Sequence, residues 1–429
     1  MPPGLTGASV QATKNSGKSS RESLTQTLCD PNLPALTPLT ERYKTLTLGL
    51  QVDTTLPNRI ISPLSPLRGA FKAFGKGSIP VYNRPGEMKR KLILADSLFY
   101  FLAAALLSIL SSVSSPVSAQ LIKLNVGYSA ISGEQLPAWI AKDTRIFEKN
   151  GLDVQLIYFT GGTTAVLALV SGEVPISQVA GPAVVNSALA GSDVVMVAAG
   201  ATSLDYWLMS LPEIKKPDQL KGGSVAISRF GTASDFVARY ALSRIGLVPG
   251  KDVAIVQVGG VPDRLGAVLA GKVQGAILNP PASFIGQKKG LNILADVSKL
   301  GLAFQYTGIA TSRRFTREHP DIVRRYVRSQ VEAVNRIHTD RETSLKVLTK
   351  YFGGNVERDI LEKSWELLAD ENMLPKKQYP SYEGLKFILA PLTEKDAKAR
   401  AAKPEDFADL SFIKELDQSG YIDSLYKKK

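Results

Sequence analysis

The sequence predicts an α/β protein of two lobes, each a mostly parallel sheet covered by helices, with a cleft between them. Three observations carry this expectation. From Leu121 onward, short apolar runs rich in β-branched residues alternate with helical patterns, the order expected of βαβ units. The stretches "ALVSGEVPISQVAGPA" from Ala168 and "AVLAGKVQGAILNPPA" from Ala267 say nearly the same thing ninety-nine residues apart, which places one such unit in each lobe. After "GIATSR" the text turns helical and stays so to the C-terminus.

The elements follow in order. "IKLNVGY" reads as a strand, "LPAWIAKDTRIFEKN" as a helix stopped by Gly151, and "DVQLIYF" as a strand. "TTAVLALVS" is a helix with Val166, Leu169 and Val170 on one face, closed by Gly172, because glycine accepts the left-handed conformation of a helix stop. "PISQV" is a strand, "PAVVNSALA" a helix stopped by Gly191, and "DVVMVAA" a strand. The second lobe repeats the series: strand "GSVAIS", helix "TASDFVARYALSRI", strand "DVAIVQV", helix "PDRLGAVLA", strand "GAIL", helix "PASFIGQKK". Thr232 and Asp235 stand at capping-box spacing before the first of these helices, which ends at Gly246. "PDIVRRYVRSQVEAVNRIH" is amphipathic, with Val323, Tyr326, Val327, Val331 and Val334 on one face. Such helices need a partner surface, so the expectation is lobe 1 at 120–210 plus 311–429, carrying the C-terminal helices, and lobe 2 inserted at 211–310.

Upstream the text differs. Residues 1–87 are rich in Pro, Ser and Thr without apolar period, which predicts a disordered extension or sequence upstream of the true start. "MKRK" at Met88, the apolar "SLFYFLAAALLSIL" and small residues at Val117 and Ala119 read as a signal peptide over 88–119, cleaved after Ala119, with Met88 as the start. Of the 52 Lys+Arg and 39 Asp+Glu, 13 and 6 lie before Gln120, so 39 against 33 remain, a net +6. That mild excess makes no case for nucleic acid and leaves a field favourable to small anions. The single cysteine, Cys29, precedes the signal, so the exported part has neither disulfides nor a lipid-bearing cysteine.

The catalytic inventory is thin. The two histidines, His319 and His338, stand at helix ends without a nucleophile or carboxylate at motif spacing, and neither metal spacing nor a phosphate loop occurs. What recurs is a kind of loop at the C-terminal ends of strands: "SAISGEQ", "TGGTT", "AGP", "SRFGT", "GGVPD" and "NPP". In open parallel sheets ligands bind at that edge, and glycine-rich loops opening helices offer backbone N–H groups to anions. One helix end contributes only about 0.3 to 1 kcal/mol against the roughly 8 kcal/mol of micromolar binding. Loops of both lobes must therefore close on one ligand, which requires a hinge. Plainer roles stand beside each contact: a helix cap for Thr163, a surface cation for Arg229, a turn for Asn279 and core packing for Trp139.

The order of these motifs resembles the bacterial ABC-transporter substrate-binding proteins of the sulfonate, nitrate, taurine and thiamine-pyrimidine type. The resemblance rests on "VGYSAISGEQLPAWIAKDTRIFEKNGLDVQLIYFTGGTTAVLALVSGEV", "IKKPDQLKGGSVAIS" and "LAGKVQGAILNPPA". It implies the two-lobed type II periplasmic binding protein fold, a non-enzymatic role without cofactor, a periplasmic location, a monomer, and a permease with its ATPase as partners. By position it implies that Ser129 and Ala130 belong to the first cleft loop, Gly161, Gly162 and Thr163 to the second and Gly181 to the third. Arg229 and Thr232 face them from lobe 2, with Asn279 below; "ISRFGT" places Arg229 at the end of a buried strand and beside the helix opening at Thr232, which makes it the expected main charge contact. Two departures bear on the ligand: Pro175 and Gln274 stand where the family often has Asp, and Asn279 where a carboxylate would mark an amine. Both count against taurine or a cation. Two alternatives remain, a pyrimidine-precursor enzyme of the same fold, whose Cys-rich motif the exported part lacks, and a ligand sensor.

Overall fold

The computed structural model describes residues 120–427; the expected extension and signal peptide lie outside them. Ten strands form two five-stranded sheets. The first holds β1 (Ile122–Tyr128), β2 (Leu152–Tyr158), β3 (Ile176–Val179), β4 (Val194–Ala199) and β10 (Gly308–Ser312), in the order β2-β1-β3-β10-β4. The second holds β5 (Trp207–Ser210), β6 (Ser224–Ile227), β7 (Ala254–Gln257), β8 (Gly275–Leu278) and β9 (Asn292–Asp296), in the order β7-β6-β8-β5-β9.

The two sheets have one plan. In each, a strand near the centre pairs in parallel with a neighbour on one side, and an antiparallel strand of distant origin closes the other side. Those antiparallel strands are β5 and β10, each reached by a chain crossing, at 200–206 and 297–307. The second sheet thus begins at Trp207, ahead of the expected lobe boundary at 211, and β10 regains the first sheet at Gly308. Neither β5 nor β9 was foreseen: "WLMS" falls outside the strand–helix alternation that marked the equally short β3 and β8, and the expected series of the second lobe ends at the helix before "NILAD".

The quoted repeat corresponds in the fold position by position. Helix α2 (Gly162–Val170) and helix α5 (Val261–Leu269) are offset by ninety-nine residues at both ends, as are β3 and β8. Between them Gly172 (φ 81°) and Gly271 (φ 67°) stop the helices in the left-handed region, where a Cβ is strained.

Two local expectations change. The first helix ends at Asp143 as α1 (Leu136–Asp143), because Arg145 takes a φ of 60° before a short turn of helix at Ile146–Lys149. At α4 (Ala233–Arg244) no capping box forms. The Thr232 hydroxyl donates to Arg229 O (2.7 Å), while Asp235 Oδ2 accepts from Gly231 N (2.9 Å), one residue earlier than the spacing predicted.

After β10 the chain is helical. In α7 (Pro320–Thr339) the five residues of the apolar stripe are fully buried, each contributing about 1.5 to 3 kcal/mol of burial. The stripe covers α1 and the first sheet, with the Phe147 and Tyr326 rings stacked at 5.2 Å. Trp139 is part of this core, stacked on Tyr351 at 4.5 Å. No helix among the described residues is long and apolar enough to cross a membrane.

Candidate ligand cleft

The C-terminal strand ends of the two sheets face one another across a small polar cavity of about 30 Å³. Four helices point their N-termini at it: α2 through Gly161 and Gly162, α3 (Gly181–Leu189) through Ala180, α4 through Thr232 and Ser234, and α5 through Gly260 and Val261. Each end carries about half a positive charge. Gly161 has a φ of 89°, in the region that a Cβ strains, so the loop depends on glycine there. Gly181 allows another close approach: a Cβ would fall 2.5 Å from Gln305 O, the atom that accepts Gly181 N–H at 3.0 Å.

Of the nine residues expected at the site, Ser129, Ala130, Gly161, Gly162 and Thr232 line the cavity. Thr163 and Arg229 do not. Arg229 Nε donates to Thr160 O at 3.1 Å and Thr163 Oγ1 to Phe230 O at 3.0 Å, so both tie loop to loop at the exposed rim. Asn186 Nδ2 adds a third rim tie, to Gly231 O at 3.2 Å. Gly181 sits behind the lining, against the second crossing segment. Asn279 is fully buried beneath it and donates through Nδ2 to Tyr306 Oη at 2.8 Å and Glu134 Oε2 at 3.2 Å. The two histidines are elsewhere: the ring nitrogens of His338 face the carbonyls of Ala369 and Leu374.

The sequence reading missed the charged groups of the cleft. Arg264, in the first turns of α5, is 2 % exposed and lines the cavity. Its Nε donates to Ile277 O at 2.9 Å and its Nη1 to Gly259 O at 3.2 Å, and Nη2 is unbonded. Glu134, from the loop after β1, also lines the cavity and accepts the Ser132 hydroxyl at 2.6 Å. Asp205 lies on the first crossing segment, buried, with Oδ1 unbonded. Burial pushes the Glu134 carboxyl up. Burial, and then the charge of Glu134, holds Asp205 well above the usual carboxylate range, against the opposing pull of the Tyr306 hydroxyl. Burial likewise lowers the Arg264 guanidinium and raises the Tyr206 and Tyr306 hydroxyls. Only an apolar stripe broken by a charge could have marked Arg264: "VPDRLGAVL" puts an arginine among residues that otherwise face the sheet.

Known proteins of this shape are numerous. At the level of fold, the alkanesulfonate-binding protein SsuA from Xanthomonas axonopodis pv. citri, solved with MOPS, superposes with a TM-score of 0.57 at 19 % identity, over 68 % of this chain and 100 % of its own. The periplasmic nitrate-binding protein NrtA from Synechocystis superposes with a TM-score of 0.60 at 13 % identity, over 72 % and 92 %. In sequence, a putative binding protein, YtlA, of Bacillus subtilis is 22 % identical over 235 residues, 54 % of this chain and 70 % of its own. A putative ABC transporter periplasmic binding protein of Brachyspira hyodysenteriae is 28 % identical over 143 residues, 33 % and 40 %. The pattern of the NMT1-like family matches residues 118–349, more than half of the 429. With its two lobes and facing strand ends, the chain belongs to the NMT1-like family and has the two-lobed fold of periplasmic binding proteins.

Proposed function

We propose that the protein is the solute-binding component of an ABC importer, located in the periplasm, which captures a small anionic or oxygen-rich organic molecule between its lobes and delivers it to a membrane permease. The observation that carries this reading is the convergence of four helix N-termini and a buried guanidinium, drawn from both sheets, on one polar cavity. The relatives named as binding proteins agree with it, and a binding role needs no catalytic residue.

Closure works through groups of two kinds. Ser129, Ala130, Gly161, Gly162 and Thr232 contact the ligand. Thr163 and Arg229 latch the rim, Gly181 keeps α3 tight on the second crossing segment, and Asn279 holds Glu134 and Tyr306 in place. Because the cavity is small, a ligand of several heavy atoms parts the loops and exchanges some rim contacts for its own. The lobes hinge at the crossings, so lobe 1 is 120–210 plus 311–429 and lobe 2 is 211–310, to within the few residues of β5. Export through the segment 88–119 completes the proposal.

Small-angle scattering on the purified protein, with and without saturating sulfonates, carboxylates, nitrate and pyrimidines, tests it. Compaction with at least one compound is expected. An unchanged radius with every bound compound would place the site within one lobe.

A further inference from the structure

The cleft holds one guanidinium and two carboxyl groups in a single buried cluster, and their count restricts what can enter. Arg264 uses two of its three nitrogens on backbone carbonyls and makes no ion pair among the described residues, so its charge is unmatched at close range. A buried cation without a partner is unfavourable; Arg264 lines the cavity, and its remaining nitrogen is buried without a hydrogen-bond partner. An anion on Nη2 would satisfy it. With Glu134 and Asp205 both ionised, however, the same anion would make three buried negative charges around one positive.

Resting on the reading of the cleft as a solute site, we infer that it captures its ligand as an acid. An oxyanion, carboxylate or sulfonate, sits on Nη2 of Arg264, and its charge is matched by a proton held on the Glu134 and Asp205 carboxyls. The groups that face this pair agree. Asn279, from the end of β8, offers its amide N–H to Glu134. Ser132 offers its hydroxyl from the loop after β1. Tyr306 and Tyr206 reach the pair from the two crossing segments as neutral phenols. Glu134 and Tyr158 both act on the Arg264 guanidinium, from α5, and Asp263 acts on Tyr158. No second buried cation is present among these groups, so a dianion such as phosphate would be poorly matched and a monoanion is preferred.

The experiment is calorimetry from pH 5 to 8.5 on the purified protein with acetate, benzoate, pyruvate, methanesulfonate and nitrate, with acetamide and benzamide as neutral counterparts and inorganic phosphate as the dianion. At least one monoanion should bind and its neutral counterpart should not. Its affinity should fall as pH rises through the carboxyl range, by up to about tenfold per unit for one linked proton. Glu134→Gln or Asp205→Asn should flatten that slope, and Arg264→Gln should weaken the anion at least tenfold, with Arg264→Lys as the replacement if the glutamine variant does not fold. The carboxylate and sulfonate arms tell which head group is preferred.

Anion binding that is independent of pH, or unchanged by Arg264→Gln, overturns the inference. So does equal binding of an amide, although that result leaves the solute-binding reading standing. Silence from every acid and every neutral compound counts against both.

Discussion

The two repeats are alike in backbone and unlike in what they put into the cleft. Helix α2 and strand β3 match α5 and β8 residue for residue at an offset of ninety-nine. At that offset Ala165 stands where Arg264 stands, and Ala180 where Asn279 stands. In the first repeat both positions are small, and the loop contributes backbone and helix ends. In the second, both carry a buried polar side chain that reaches the cavity or the groups beneath it. The shared positions, glycine stops and alternating apolar residues, make the fold. The unshared positions make the site.

The comparison breaks most directly by making the first repeat resemble the second. Ala165→Arg should lower stability by about 3 to 5 kcal/mol, the cost of an uncompensated buried charge, because Ala165 is fully buried in packed core. Urea denaturation measures this, and a tolerated arginine would mean the repeats are interchangeable. The reverse test is Asn279→Ala. It removes the amide donor from Glu134 Oε2 and the Tyr306 hydroxyl, at about 1 to 3 kcal/mol, whereas Ala180→Gly should cost less than about 1 kcal/mol.

A smaller effect sharpens the electrostatic half of the difference. Glu134 and Asp205 are raised in the folded state, so the fold binds protons that the unfolded chain releases. Their contribution is fully present below the unfolded carboxylate range and is lost as pH rises through the folded values. Glu332, pulled down by Lys149 and Tyr421 against its burial, acts in the opposite direction. The informative quantity is therefore the difference between wild type and Asp205→Asn. The variant should gain melting temperature relative to wild type as pH rises from 4 to 8, and a constant difference would refute the shift. On the shared backbone itself, Gly172→Ala and Gly271→Ala should each cost about 1 to 2 kcal/mol for a left-handed residue, and by equal amounts, since neither added Cβ meets an atom within 4 Å. Unequal losses would show that the shared backbone is not equally strained.

Much of the fold was legible because it rests on period and punctuation. The strands with long apolar runs, the helices closed by glycine and the valine face of α7 all follow from residues that act locally. The short antiparallel strand β5 was not legible, since no helix pattern and glycine stop sets it off as it does the equally short β3 and β8; β9, which follows such a helix and stop, was legible by the same rule and was missed. The loops of the cleft were read from their glycines, which is why five of the nine expected residues line it. Its charges were not. Arg229 is conspicuous in "SRFGT" yet belongs to the rim, while Arg264 sits in helical text, Asp205 in crossing text and Glu134 in the loop "SAISGEQ", where nothing in one dimension distinguishes a buried charge from a solvated one.

The exchange of strands between the sheets has a consequence for how the chain assembles itself. The place between β3 and β4 in the first sheet is filled by β10, which follows β4 by more than a hundred residues. The second sheet is complete in one continuous stretch from Trp207 to Asp296. A chain made from its N-terminus therefore carries two facing, unpaired strand edges through the whole synthesis of the other sheet, the condition under which edges find wrong partners. The half that is begun first is finished last.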